Sequence, residues 1–182
     1  MKDVKGSAAL SDVLTDRSFE DPAPVERLDL RGKLDASITV TPGAVRSGET
    51  VGVHLRLRNV STRPLPLGFT AHSGPMIRME VKGPGGFVDP PPPPAPLMRP
   101  GPPYAIALTL HPGAEIVHET TWKSVRREWD RREGVAPFPD GNGPFLEAGP
   151  LPPGRYEFRI QAMFHFEGGG LEPPVGVLDI VG

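Results

Sequence analysis

The segment GRYEFRIQAMFHF, from Gly154 to Phe166, sets the strongest limit on what this chain can become. Tyr156, Phe158, Ile160, Ala162, Phe164 and Phe166 alternate with Arg155, Glu157, Arg159, Gln161, Met163 and His165. Successive side chains of an extended strand point to opposite faces, so this period of two specifies a long strand with one buried face. ETVGVHLRLRN repeats the pattern: Val51, Val53, Leu55 and Leu57 oppose Gly52, His54, Arg56 and Arg58. Shorter alternations run over residues 34–41, 63–70, 76–82, 104–110, 115–122 and 175–181, which makes about eight strands.

The breaks between these runs are turns with a mechanism. TPGAVRSGE (41–49), HPGAE (111–115) and LPPGRY (151–156) place proline before glycine. Proline presets φ near −65° and glycine accepts positive φ, which suits type II corners. The chain has 25 prolines and 22 glycines in 182 residues, and 37% of it is hydrophobic. That is enough apolar material for a core, so the glycine and proline serve turns between short strands. No helices alternate with the strands, as a parallel α/β sheet would need. The expectation is an all-β fold, an antiparallel β-sandwich of about seven or eight strands.

Two stretches read as helical. SAALSDVLTD (7–16) has Leu10, Val13 and Leu14 at helical spacing with Ser7 as N-cap, giving a helical arm within residues 1–28. KSVRREWDRREG (123–134) has strong helix formers, Val125 and Trp129 four apart, and a terminal Gly134. It lies in an insertion, 123–150, whose remainder is turn-rich.

GGFVDPPPPPAPLMRPGPPY (85–104) fits a linker, a docking ligand or an internal loop. Four strands precede it and four follow, and the two longest lie in opposite halves. Neither half closes a two-layer core alone. Residues 29–182 therefore form one domain, with the proline-rich stretch 87–103 as a stiff internal loop.

The formal net charge of −2 creates no field that attracts nucleic acid or an acidic membrane. The absence of cysteine excludes disulfides, thiol catalysis and cysteine-based zinc sites. No run of about 20 apolar residues spans a bilayer. Residues 1–24 carry no apolar core of secretory length, so the expectation is a cytoplasmic protein. A chain that had lost its signal peptide reads the same way, and would be periplasmic or secreted.

Catalytic signatures are absent where their mechanisms need them. HETTW (118–122) opens like a zinc-protease helix, but Trp122 stands where the second histidine belongs. There is no G-x-S-x-G, and GPGGF (83–87) and EGGGLEP (167–173) fit no phosphate loop. His54 and His165 would meet as a metal pair only if their strands were neighbours, and ordinary solvent-facing histidines explain them as well. Asp140 and Asn142 suit a turn better than a calcium loop. In VRREWDRRE (125–133), Glu128, Asp130 and Glu133 interleave with four arginines, which reads as a solvated face rather than an anion site. NVS (59–61) matches a glycosylation acceptor but also a turn after a strand. No enzyme, metal or cofactor follows from these motifs.

Several residues stand in a familiar order: Asn59 and Ser61, then LHPGAEIVHETTW (110–122), then LPPGRYEFRIQA (151–162). With Leu110, Pro112, Gly113, Trp122, Leu151, Pro153, Gly154 and Tyr156, this order resembles the BsuPI-type intracellular proteinase inhibitors, over residues 50–166. The resemblance implies a bacterial immunoglobulin-like sandwich and an inhibitor's role. The proline tract occupies the place of that family's tryptophan-rich segment. The resulting expectation is a non-catalytic protein-binding module. Interface anchors are commonly tryptophan, tyrosine and arginine. The partner-binding candidates are therefore Pro92, Leu97, Met98 and Tyr104 on the proline loop, with Arg127, Trp129 and Arg131 on the insertion. The alternative is an assembly subunit that docks on a larger complex through the N-terminal arm.

Overall fold

The structure, a computed structural model, describes residues 2–15, 29–71, 78–88, 104–129, 145–161 and 174–182. The first elements are β1 (Lys2–Val4), β2 (Ser7–Ala9), α1 (Leu10–Thr15), β3 (Leu34–Thr41), β4 (Ala44–Arg46) and β5 (Thr50–Asn59). Next come β6 (Leu65–Ala71), β7 (Arg78–Gly83), β8 (Gly86–Phe87), β9 (Tyr104–Leu110) and β10 (Glu115–Lys123). The last are β11 (Val125–Trp129), β12 (Phe145–Pro150), β13 (Gly154–Gln161) and β14 (Val175–Val181). The chain is nearly all β. All eight alternating runs are strands, three of them with the expected bounds. On β5, Val51, Val53, Leu55 and Leu57 are each at most 2% exposed, the burial their alternation demands. Residues 162–166 of the longest run lie outside the described residues.

Four sheets form. Their orders are β4-β14-β13-β7-β8, β2-β10-β5-β3, β1-β9-β6 and β11-β12. The sheets are mixed rather than wholly antiparallel: β4 runs parallel to β14, β1 to β9 and β2 to β10. The two larger sheets pack face to face. Trp122 of β10 meets Phe158 of β13 edge to face, with ring centroids 5.1 Å apart. At the other side Gly176 of β14 lies against β3, so close that a Cβ there would sit 2.5 Å from Ile38 Cγ2. One cluster of buried apolar side chains runs from Val4 to Ile180 and includes Val81 and, just ahead of the tract's first proline, Val88, together with Leu108 and Leu110 after the tract. The tract thus joins strands that share a core.

Asn59 closes the corner at which the pair β5–β10 gives way to the pair β6–β9. It is fully buried, and its Nδ2 donates to the Arg63 carbonyl at 2.8 Å and the Leu110 carbonyl at 2.7 Å. Its Oδ1 accepts from Ser61 N at 2.9 Å and Ser61 Oγ at 2.7 Å. Its backbone bonds Ala114 O and Gly113 N across the neighbouring turn. Gly113 takes φ +75°, the left-handed conformation expected of the Pro-Gly corner. Asn-Val-Ser is therefore a structural turn whose amide nitrogen is committed on both hydrogens.

The N-terminal residues differ from the expected helical arm. Among the described residues of 1–28, helix is confined to Leu10–Thr15, and Lys2–Val4 and Ser7–Ala9 extend the sheet edges instead. Val4, Leu10 and Val13 are buried in the chain's own core. The expected helix at 123–134 is likewise replaced by β11. Val125 and Trp129 match a helical stripe, but β-branched and aromatic residues serve a strand equally, and pairing with β12 decides the outcome. Residues 130–134 lie outside the described residues.

Tyr156 pins the turn before β13: its hydroxyl donates to the Pro152 carbonyl at 2.8 Å. Its ring covers Gly83 so closely that a Cβ at that residue would overlap it. Burial keeps the Tyr156 phenol above its ordinary pKa, so it remains a donor. Gly83→Ala is expected to lower stability by about 1–3 kcal/mol through overpacking. Tyr156→Phe, which removes only the hydrogen bond, should cost about 1 kcal/mol. Urea denaturation measures both, and a neutral Gly83→Ala would contradict the packing.

Candidate functional site

The ribbon β11–β12 stands out because a buried polar joint holds its base. Ser124 is 0% exposed between β10 and β11. Its Oγ lies 3.0 Å from the Arg46 carbonyl and 2.9 Å from the Glu49 carbonyl, and its N–H donates to Glu49 O at 2.8 Å. Its own carbonyl accepts from Gly48 N at 2.9 Å and Ser47 Oγ at 3.0 Å. Ser47 Oγ in turn accepts from Leu151 N at 2.7 Å. These bonds join the β4–β5 turn, the start of β11 and the end of β12. A fully satisfied buried network of this kind fixes geometry more than it adds stability.

Above that base the ribbon is a two-stranded antiparallel sheet. Val125 pairs with Pro150, Arg126 with Gly149, Arg127 with Glu147, Glu128 with Leu146, and Trp129 with Phe145. The register skips Ala148, a β-bulge, and Gly149 beside it takes φ +118°. Arg126 Nη2 donates to the Ala148 carbonyl at 2.7 Å, which holds the bulge. Lys123 Nζ reaches both Glu147 oxygens, at 2.6 and 2.9 Å. Leu146 remains 40% exposed, with Arg126, Glu128 and Glu147 also at the surface.

The sequence-based candidates divide across this geometry. Arg127 lies on β11, half-buried, in register with Glu147, and Trp129 ends the same strand. Tyr104 opens β9 opposite Ala71. Pro92, Leu97, Met98 and Arg131 lie outside the described residues. Within the ribbon, the structure adds Arg126 and Leu146, and it reveals Ser47 and Ser124 as its anchors. FLEAGP (145–150) is too short and too irregular in alternation to announce β12, and an isolated serine carries no sign of its partners.

The exposed face of the four-stranded sheet is charged and balanced. Arg58 stands in register between Glu115 and Asp35. Arg56 Nη2 meets Asp35 Oδ2 at 2.9 Å, and His54 Nε2 lies 3.9 Å from its cross-strand neighbour Glu119. His165, Asp140 and Asn142 lie outside the described residues. Among the described residues no group of three or more histidines, acids or cysteines converges to hold a metal. No helix among them is long and apolar enough to cross a membrane.

No family model matches the chain, and no curated protein matches it. Solved structures show slight overlap. One is an alkylpurine DNA glycosylase, AlkC, of Pseudomonas fluorescens bound to DNA with an abasic-site analogue. It shares 13% identity and a TM-score of 0.38, over 82% of this chain and 31% of that one. Another is the β-glucosidase of Listeria innocua with isofagomine, at 13% identity and a TM-score of 0.35, over 82% of this chain and 16% of that one. The chain thus spans less than a third of either protein. Overlap this slight assigns neither a family nor an activity.

His118 faces the inner side of β10 opposite Leu55, and burial pushes its pKa below the ordinary 6.5. The unfolded chain then binds a proton that the folded chain resists. Stability is full above about pH 6.5 and falls as pH drops through that value, until the folded imidazole is also protonated. His118→Gln should flatten this segment of the pH–stability curve. Thermal melts from pH 7.5 to 5 test it, and an unchanged curve would contradict the assignment.

Proposed function

We propose that this chain is a non-catalytic immunoglobulin-like module that binds a protein partner through the β11–β12 ribbon. The sandwich reading is supported by the inter-sheet contact of Trp122 with Phe158 and the parallel edge pair β4–β14. It is also supported by the bond from Tyr156 to Pro152, which matches the tyrosine corner of such sandwiches. The observation that carries the binding role is the ribbon itself. Its base is locked by Ser47 and Ser124, while Arg126, Glu128 and Leu146 are left at the surface. A pre-organised surface loses little entropy on binding, so an exposed leucine and arginine on a fixed ribbon suit a partner's surface. Tyr104 on β9, and Pro92, Leu97, Met98 and Arg131, which lie outside the described residues, are further candidates for contact.

The specific version is proteinase inhibition, which rests on the order of Asn59, Trp122 and the Leu151–Tyr156 turn. Asn59 and Tyr156 hold turns and Trp122 packs in the core, so this reading assigns the inhibitory contact to the ribbon and the proline loop instead. A panel of serine proteases incubated with the chain tests this. Inhibition that weakens at least tenfold in Leu146→Asp, equivalent to about 1.4 kcal/mol, is the expected result. Cleavage of the chain with full protease activity would end the inhibitor role, and equal inhibition by the variant would move the contact off the ribbon.

A further inference from the structure

The N-terminal segment enters the fold as an added edge. β1 lies parallel to β9, with Lys2, Asp3 and Val4 opposite Leu108, Thr109 and Leu110. β2 lies parallel to β10, with Ser7, Ala8 and Ala9 opposite Glu115, Ile116 and Val117. Between them the segment follows the β9–β10 corner: His111 N donates to Val4 O at 2.9 Å and Glu115 N to Gly6 O at 3.0 Å. Val4 and then Leu10 and Val13 of α1 enter the core at 4%, 1% and 0% exposure.

These contacts describe a bent groove and its ligand. The groove offers backbone donors and acceptors along two strands and apolar sites for Val4, Leu10 and Val13. Its occupant is an extended peptide ending in one helical stretch. No disulfide ties it down, since the chain has no cysteine. Thirteen residues, 16–28, separate it from Asp29. The segment's backbone pairs with β9, β10 and the corner between them, so the same bonds form whichever copy supplies it.

We infer that the β9–β10 edge is a strand-accepting groove that takes residues 2–15 of a second copy of this chain as well as its own. The cis arrangement has the advantage of covalent connection, which gives the segment an effective concentration that a second copy must match. The trans arrangement therefore grows with protein concentration, and a trap that captures it accumulates the exchanged form. Such exchange of an identical element is a low-cost route to a dimer. This inference is independent of the ribbon's role.

The cysteine-free chain permits a clean test. Asp3 and Thr109 are register partners, and neighbouring strands bring such Cα atoms within disulfide range. Full-length Asp3→Cys and Thr109→Cys chains carrying different tags are mixed and oxidised slowly across a concentration series. A doubly tagged disulfide dimer should form and increase with concentration. It should exceed the dimer from Asp3→Cys mixed with Thr39→Cys, whose residue lies on β3. The double variant Asp3→Cys/Thr109→Cys reports whether the register is native, by closing within one chain. Closure in the double variant with mixed dimers no greater than the Thr39→Cys control would overturn the inference, as would failure of the double variant to close.

Discussion

Asn59 is the interaction on which the rest of the fold depends. Its amide uses both hydrogens on carbonyls of two different segments, Arg63 and Leu110, and its oxygen takes both donors of Ser61. Buried amides are costly unless satisfied, and this one is satisfied only in one arrangement of three chain segments. That arrangement turns the β5–β10 pair into the β6–β9 pair. It also sets the corner that the N-terminal segment follows, since His111 and Glu115, which bond Val4 and Gly6, flank the turn that Asn59 holds. Register therefore propagates from one buried side chain to two sheets.

A second polar joint acts at the other end of β10. Ser124 and Ser47 tie the β4–β5 turn to the roots of β11 and β12. Between the joints lies an apolar interior centred on Trp122 and Phe158, where no such directionality exists. Packing supplies the bulk of the driving force, and hydrogen bonds at the ends select the topology. The ribbon inherits a defined direction from this arrangement, which is what the proposed binding role asks of it.

Much of the fold was legible from residue order. The alternation over 34–41, 104–110 and 175–181 coincides with β3, β9 and β14 because a sheet with one buried face imposes period two directly. The short edges were not legible. Lys2–Val4, Ser7–Ala9 and Ala44–Arg46 owe their extended form to parallel partners more than a hundred residues away along the chain. Val125–Trp129 was misread because its spacing fits a helix and only β12 resolves the ambiguity. The candidate site suffered most. Its anchors are two serines whose importance lies wholly in the carbonyls they meet, and Leu146 matters through exposure, which no residue type reveals.

Equilibrium urea unfolding of Asn59→Ala tests the buried joint at Asn59 most directly. The substitution removes the amide partner of the Leu110 carbonyl and of the Ser61 N–H, while Ser61 Oγ and the Arg63 carbonyl keep each other at 2.9 Å. The predicted loss is about 3 kcal/mol or more, in keeping with a broken buried network. A change within about 0.5 kcal/mol, as for an ordinary surface substitution, would contradict the claim that this side chain sets the fold.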